Sequence, residues 1–272
     1  MSRASPKEQI MDYDDAYANV PHIPDGESYP PRWAAEAAAF REARATDRND
    51  LGVSYGDTPR QAYDLFRPET APKGTLVFVH GGYWLRFDRS YWSHLATGAL
   101  ARGWSVAMPS YDLCPDVRIA GITTQVARAI QNIAESEPGP LTLAGHSAGG
   151  HLVSRMIQPG LLPIDVTDRI TTITPISPVS DLRPLLHTAM NAQFQLTEDT
   201  ATAESPALMT ERLDIPTHIW VGADERPVFL DQARWQADAW SCPLRIDKGR
   251  HHFDIIDALK DPVSPLMRDI LG

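Results

Sequence analysis

The sequence predicts an α/β fold: one mostly parallel, twisted sheet with helices on both faces and a small helical cap. Three observations lead there. Apolar, β-branched runs recur along the chain, as TLVFVH (75–80), SVAMPSY (105–111), LTLAGHS (141–147), ITTITPIS (170–177) and THIWVGAD (217–224). Continuous runs of this kind suit strands buried on both faces of a sheet. Helical segments lie between them, the clearest carrying Ile119, Ile122, Val126, Ile130 and Ile133 at steps of three and four. Strand and helix in this alternation imply right-handed βαβ crossovers. At 272 residues the chain suits one such domain, 1–272.

The elements follow in order. Residues 1–31 are rich in Pro, Asp and Tyr and read as an irregular arm. Residues 32–45, RWAAEAAAFREARA, are rich in Ala and Glu and read as a helix. Two short strands are expected near Val53–Tyr55 and Ala62–Arg67, before TLVFVH ends on Gly81-Gly82. The stretch AGGHLVSRMI after Ser147 reads as a helix, and so does 227–240. Roughly 181–215 breaks the rhythm: Pro184, Pro206 and Pro216 bracket short apolar pieces, which reads as a helical insertion over one end of the sheet.

Composition narrows the function. Twenty-five Lys and Arg stand against 35 Asp and Glu, a net charge of −10. That balance argues against a nucleic-acid partner, which asks for a basic footprint, and against docking on an anionic membrane. No stretch approaches 18 apolar residues and the N-terminus lacks an apolar signal region, so a soluble cytoplasmic protein is expected. Cys114 and Cys242 are too few for a disulfide scaffold. No H-E-x-x-H, GxGxxG or P-loop pattern occurs, so neither a metal nor a cofactor is expected. A homodimer is left open.

The strongest chemical signal is Gly145-His146-Ser147-Ala148-Gly149, fed by the strand LTLAG and followed by a helix. Strand, tight turn and helix are what a nucleophile elbow requires, and they lift the Ser147 hydroxyl above the sheet edge. A serine needs a base and an oxyanion site. His80-Gly81-Gly82-Tyr83-Trp84 follows an earlier strand, where α/β-hydrolases place their oxyanion loop. The backbone N–H groups of Gly82, Tyr83 and Ala148 are the expected donors, with His80 fixing the loop. The base is expected after the last strand, at His252 in preference to His251. The acid is expected at Asp224, just after a buried strand, with Glu225 and Asp181 as rivals. The order Ser147, Asp224, His252 matches the hydrolase order.

Taken together, HGGYW, SYDLCP, GHSAGGHL, SPVSDLRPL, GADE before a Trp-bearing helix, and HHFDII resemble the serine-dependent kynurenine formamidases (arylformamidases). These belong with the hormone-sensitive-lipase-like carboxylesterases of the α/β-hydrolase superfamily. The resemblance covers about 50–260. It implies hydrolysis of N-formyl-L-kynurenine to kynurenine and formate, through a formyl-enzyme on Ser147. It also implies that the histidine directly before Phe253 is catalytic, which is His252.

An aromatic formamide or ester is then the expected small-molecule substrate. Tyr83, Trp84 and Phe253, with Trp92, are the candidates for a flat apolar wall against it. Asp181 and Arg183 are candidates for its charged end. Two other readings use the same residues differently: a general short-chain carboxylesterase with the same triad, and a non-catalytic ligand receptor on the hydrolase fold.

Overall fold

The computed structural model describes residues 11–44 and 46–272. Eight strands form one sheet: β1 (Asn49–Ser54), β2 (Ala62–Phe66), β3 (Thr75–Val79), β4 (Ser105–Pro109), β5 (Leu141–His146), β6 (Ile170–Ile176), β7 (Ile219–Gly222) and β8 (Leu244–Asp247). Their spatial order is β1-β2-β4-β3-β5-β6-β7-β8. The β1–β2 and β2–β4 pairs are antiparallel, and every pair from β4 through β3 to β8 is parallel.

The apolar runs are continuous because both sheet faces are covered. In β3, Val77 and Val79 join a core that includes Ile122, Val126, Ile130 and Leu152. Those four sit on α4 (Ile119–Ser136) and α5 (Ala148–Arg155). The alternate residues Leu76 and Phe78 join a second core with Trp33, Leu100 and Met267. These come from α2 (Tyr29–Glu42), α3 (Thr97–Ala101) and α10 (Pro265–Leu271), the last near the C-terminus. Period-two alternation therefore survives as a choice between two cores instead of core and water. The helix α9 (Pro227–Trp240) packs on β7.

Three segments depart from the sequence reading or refine it. The N-terminal helix starts at Tyr29, because Pro30 and Pro31 fit a first turn whose N–H groups have no acceptor within the helix. Of the 32–45 reading, Ala45 lies outside the described residues, as do 1–10 of the arm. The rest of the arm is not irregular throughout: α1 (Tyr13–Tyr17) is capped by Asp12, whose carboxylate accepts the Asp15 N–H at 3.2 Å. Between β6 and β7 the chain forms α7 (Asn191–Phe194) and α8 (Glu198–Glu204) with flanking 3₁₀ turns, and α6 (Ile164–Thr167) precedes β6. No described helix is long and apolar enough to cross a membrane.

Candidate active site

The site lies at the C-terminal ends of the parallel strands, where open α/β sheets hold their ligands. Ser147 follows β5 directly and holds φ 56°, ψ −118°, a conformation that a residue with a side chain rarely adopts. Two contacts hold it there: the Ser147 N–H donates to the Ile176 carbonyl at 2.8 Å, and its own carbonyl accepts the His151 N–H. The turn also requires the glycines that flank it. A Cβ on Gly145 would sit 2.2 Å from the Gly149 carbonyl oxygen, and one on Gly149 would sit 2.0 Å from that of Val79. The motif is thus a packing solution that leaves one strained serine at the start of α5.

Two histidines line a cavity with Ser147, His146 and His252, and His252 is the one paired with a carboxylate. It is buried, and its Nδ1–H donates to Glu225 Oε2 at 2.6 Å. Glu225 has a fully buried side chain, and its other oxygen accepts the Gly222 N–H at 2.8 Å and the Ser177 hydroxyl. A carboxylate receiving three donors is held in its acceptor form with little freedom to rotate. Because Nδ1 carries the proton toward Glu225, the Nε2 lone pair is left free, and His252 and Ser147 line one cavity. The Phe229 ring packs against the imidazole at 4.2 Å between centroids.

The carboxylate paired with His252 is therefore Glu225 and not Asp224, where the acid was expected. After β7 the chain turns: the Asp224 N–H donates to the Arg250 carbonyl and the Glu225 N–H to that of Gly222. This turn sends the Asp224 side chain into solvent and folds Glu225 back under the strand ends. Gly222 makes the turn feasible, since a Cβ there would meet the Arg250 carbonyl oxygen at 2.2 Å. Asp181 pairs with Arg183 at 2.6 Å, and both line a separate open groove, so neither faces Ser147.

The other histidines separate by partner. His251 Nδ1 accepts the N–H groups of Phe253 and Asp254, so its Nε2–H donates to the Tyr29 hydroxyl at 3.0 Å. It ties α2 to the C-terminal loop. His80 stacks on Tyr111 at 4.4 Å and donates from Nδ1 to the Gly81 carbonyl; burial pushes its pKa down to about 4. His146, which the sequence reading passed over, donates from Nε2 to the His252 carbonyl at 2.8 Å. Burial holds His146 well below the usual histidine pKa, and a proton gained by His252 beside it would push it further down. It braces the His252 backbone as a neutral group.

The loop after β3 carries the candidate oxyanion donors. Gly82, Tyr83, Trp84 and Phe87 all have positive φ, at 107°, 54°, 56° and 71°. The Gly82 carbonyl accepts the N–H groups of Leu85 and Arg86, which closes the turn. Among the described residues, nothing accepts the N–H of Gly82, Tyr83 or Ala148. Three unclaimed N–H groups beside Ser147 are what an oxyanion requires.

Ser147 and His252 open into a cavity of about 260 Å³, walled by Trp33, Tyr83, Phe87, Trp92 and Phe253. Trp84, expected in that wall, is not there. It is 0% exposed in the core, edge-on to His151 and Phe194. Positive φ at two successive residues separates their side chains, so Tyr83 turns to the cavity and Trp84 away from it. Trp33 of α2, which no motif flagged, takes a place in the wall against Trp92 at 4.9 Å.

The arm roofs the cavity with residues 14 and 17–21. The Tyr83 hydroxyl donates to the Tyr17 carbonyl at 2.7 Å, and Gln232 Nε2 donates to the Tyr17 hydroxyl at 2.8 Å. Arg226, next to Glu225, reaches the Asp15 carboxylate at 2.6 Å.

Residues 76–269 match the alpha/beta hydrolase family. The chain belongs to that family. Within this alpha/beta hydrolase group, it is 32% identical to the kynurenine formamidase of Drosophila melanogaster over 242 residues, covering 80% of each chain. The kynurenine formamidase of Danio rerio is 26% identical, covering 84% of this chain and 83% of that one. A crystal structure of a Silicibacter sp. TM1040 protein, provisionally described as a thioesterase, superposes with a TM-score of 0.94. It is 53% identical and covers 96% of this chain and 100% of that one. This hydrolase is thus a kynurenine formamidase-like member of its family.

Proposed function

We propose that this alpha/beta hydrolase removes the formyl group of N-formyl-L-kynurenine. In this reading Ser147 Oγ attacks the formyl carbon while His252 Nε2 takes its proton, and Glu225 stabilises the imidazolium that forms. The oxyanion is held by the N–H groups of Gly82, Tyr83 and Ala148. The C–N bond breaks as His252 returns the proton to the leaving aromatic amine, and kynurenine departs. Water then attacks the formyl ester, giving its proton to His252; the ester C–O bond breaks, Ser147 regains a proton and formate leaves.

The observation that carries the reading is the buried Glu225–His252 pair beside Ser147, opening into a small cavity with aromatic walls. The relation to kynurenine formamidases over four-fifths of the chain supports the substrate. Formyl is the smallest acyl group, and packed walls reject longer chains because they do not yield cheaply.

The second reading is a short-chain ester or thioester hydrolase, favoured by the provisional description of the Silicibacter structure. Comparing kcat/KM for N-formyl-L-kynurenine, its N-acetyl analogue, p-nitrophenyl butyrate and an acetyl thioester separates the two. The formamidase reading expects formylkynurenine to lead every ester and thioester by at least about tenfold, roughly 1.4 kcal/mol of transition-state preference. A butyrate ester or a thioester that matches it would assign the site to the second reading.

A further inference from the structure

We infer that the mouth of the cavity reads the amino-acid head group of the substrate, with Arg86 taking an α-carboxylate and Asp14 and Asn19 taking an α-ammonium. The inference rests on the formamidase reading and names what selects the substrate within it. The cavity is graded: Ser147 and His252 are buried at its floor, aromatic rings form its walls, and Asp14 and Arg86 are exposed at its rim. One acidic and one basic group at the same opening suit a zwitterion better than an uncharged acyl chain.

Each of the three residues has capacity left over. No described residue pairs with the Arg86 guanidinium, while its backbone is fixed by the N–H donated to the Gly82 carbonyl at 3.1 Å. That guanidinium is a planar fork matched to a carboxylate. It is carried on the same tight turn as two of the candidate oxyanion donors, Gly82 and Tyr83, so one loop would help position both the head group and the reacting carbonyl. Asp14 Oδ1 accepts the Ala189 N–H at 2.7 Å, which orients the carboxylate and leaves Oδ2 open. Asn19 lines the cavity, is only 7% exposed, and its side-chain oxygen has no donor. A buried acceptor without a donor is costly, and a bound ammonium would supply one. By contrast Asp181 and Arg183 satisfy each other outside the cavity.

The test compares N-formyl-L-kynurenine with its D enantiomer and with 2′-formamidoacetophenone, which keeps the aryl formamide but lacks the head group. The intact enzyme should favour the L substrate over the headless one by about 30-fold or more in kcat/KM, and over the D enantiomer by about tenfold. Arg86→Ala should shrink the head-group preference at least tenfold, mainly through KM, with Arg86→Lys intermediate and Asp14→Asn costing about three- to fivefold. Equal use of the L and headless substrates by the intact enzyme would overturn the inference while leaving the formamidase reading in place. So would an Arg86→Ala enzyme whose preference is unchanged. An intact enzyme that cleaves neither formamide removes the formamidase reading, and this inference with it.

Discussion

The floor and the roof of the cavity are built by different means. The floor is set by backbone geometry: glycines where no Cβ fits at 145, 149 and 222, and positive φ at Ser147, Gly82 and Tyr83. Its groups cannot move without moving the sheet ends. The roof is a separate piece of chain held down by side chains that bridge distant segments, Tyr83 and Gln232 on Tyr17 and Arg226 on Asp15. On this account the floor performs the chemistry and the roof selects and encloses. Damage to the floor should therefore appear in kcat, and damage to the roof in KM.

The largest break in that contrast is Ser147→Ala, which should lower kcat by about 10⁴-fold or more while leaving the fold intact, because a triad acts as a unit. Circular dichroism and steady-state kinetics on the same preparation check it. A folded variant with near-normal turnover would remove Ser147 from the mechanism.

A smaller effect is expected from the roof. Arg226→Ala removes the bond to Asp15 but leaves the Tyr17 anchors, so KM should rise by about three- to tenfold with kcat within about twofold. Because this ion pair lies at the surface, raising the salt concentration should weaken it and move the wild-type KM in the same direction. An equal fall in kcat would mean that Arg226 acts on Glu225 and not on the arm.

Two buried histidines behind the floor also predict an acid limit on stability. Burial holds His80 near pKa 4 and His151 near 3, against an ordinary value of 6.5. As pH falls below 6.5 the unfolded chain gains protons that the folded protein refuses. Stability present at neutral pH is therefore lost progressively down to the folded pKa values. At pH 5.5 the loss is about 1 kcal/mol for each histidine. Thermal melts between pH 7.5 and 5 should show Tm falling steadily below pH 6.5. A flat Tm over that range would contradict the burial of these rings as neutral groups. His251→Ala loses the bond to Tyr29 but should keep kcat/KM within about tenfold.

The same contrast explains what the sequence made legible. The strands were readable because two-sided burial forces continuous apolar runs. The site of Ser147 was readable because its elbow cannot be built without Gly145 and Gly149, so geometry is written into composition. The step from Asp224 to Glu225 was not, because both are carboxylates after the same Gly and only the Arg250 and Gly222 hydrogen bonds decide which one folds inward. Tyr83 and Trp84 are neighbours in sequence, yet two positive φ angles divide them between cavity and core. Trp33, Asn19 and Asp14 left no local pattern at all. Their roles arise from long-range placement of the arm, which the HGG and G-x-S-x-G motifs do not encode.

The most direct test of the floor is the pair Glu225→Gln and Asp224→Asn, assayed for kcat/KM on N-formyl-L-kynurenine. Glutamine keeps the shape of the side chain but puts a neutral amide where the imidazolium needs a negative charge. A loss of about 10²- to 10⁴-fold is expected for Glu225→Gln, against a change within about threefold for Asp224→Asn, whose side chain faces solvent. The reverse order, or equal losses, would contradict the assignment of Glu225 as the group that orients His252.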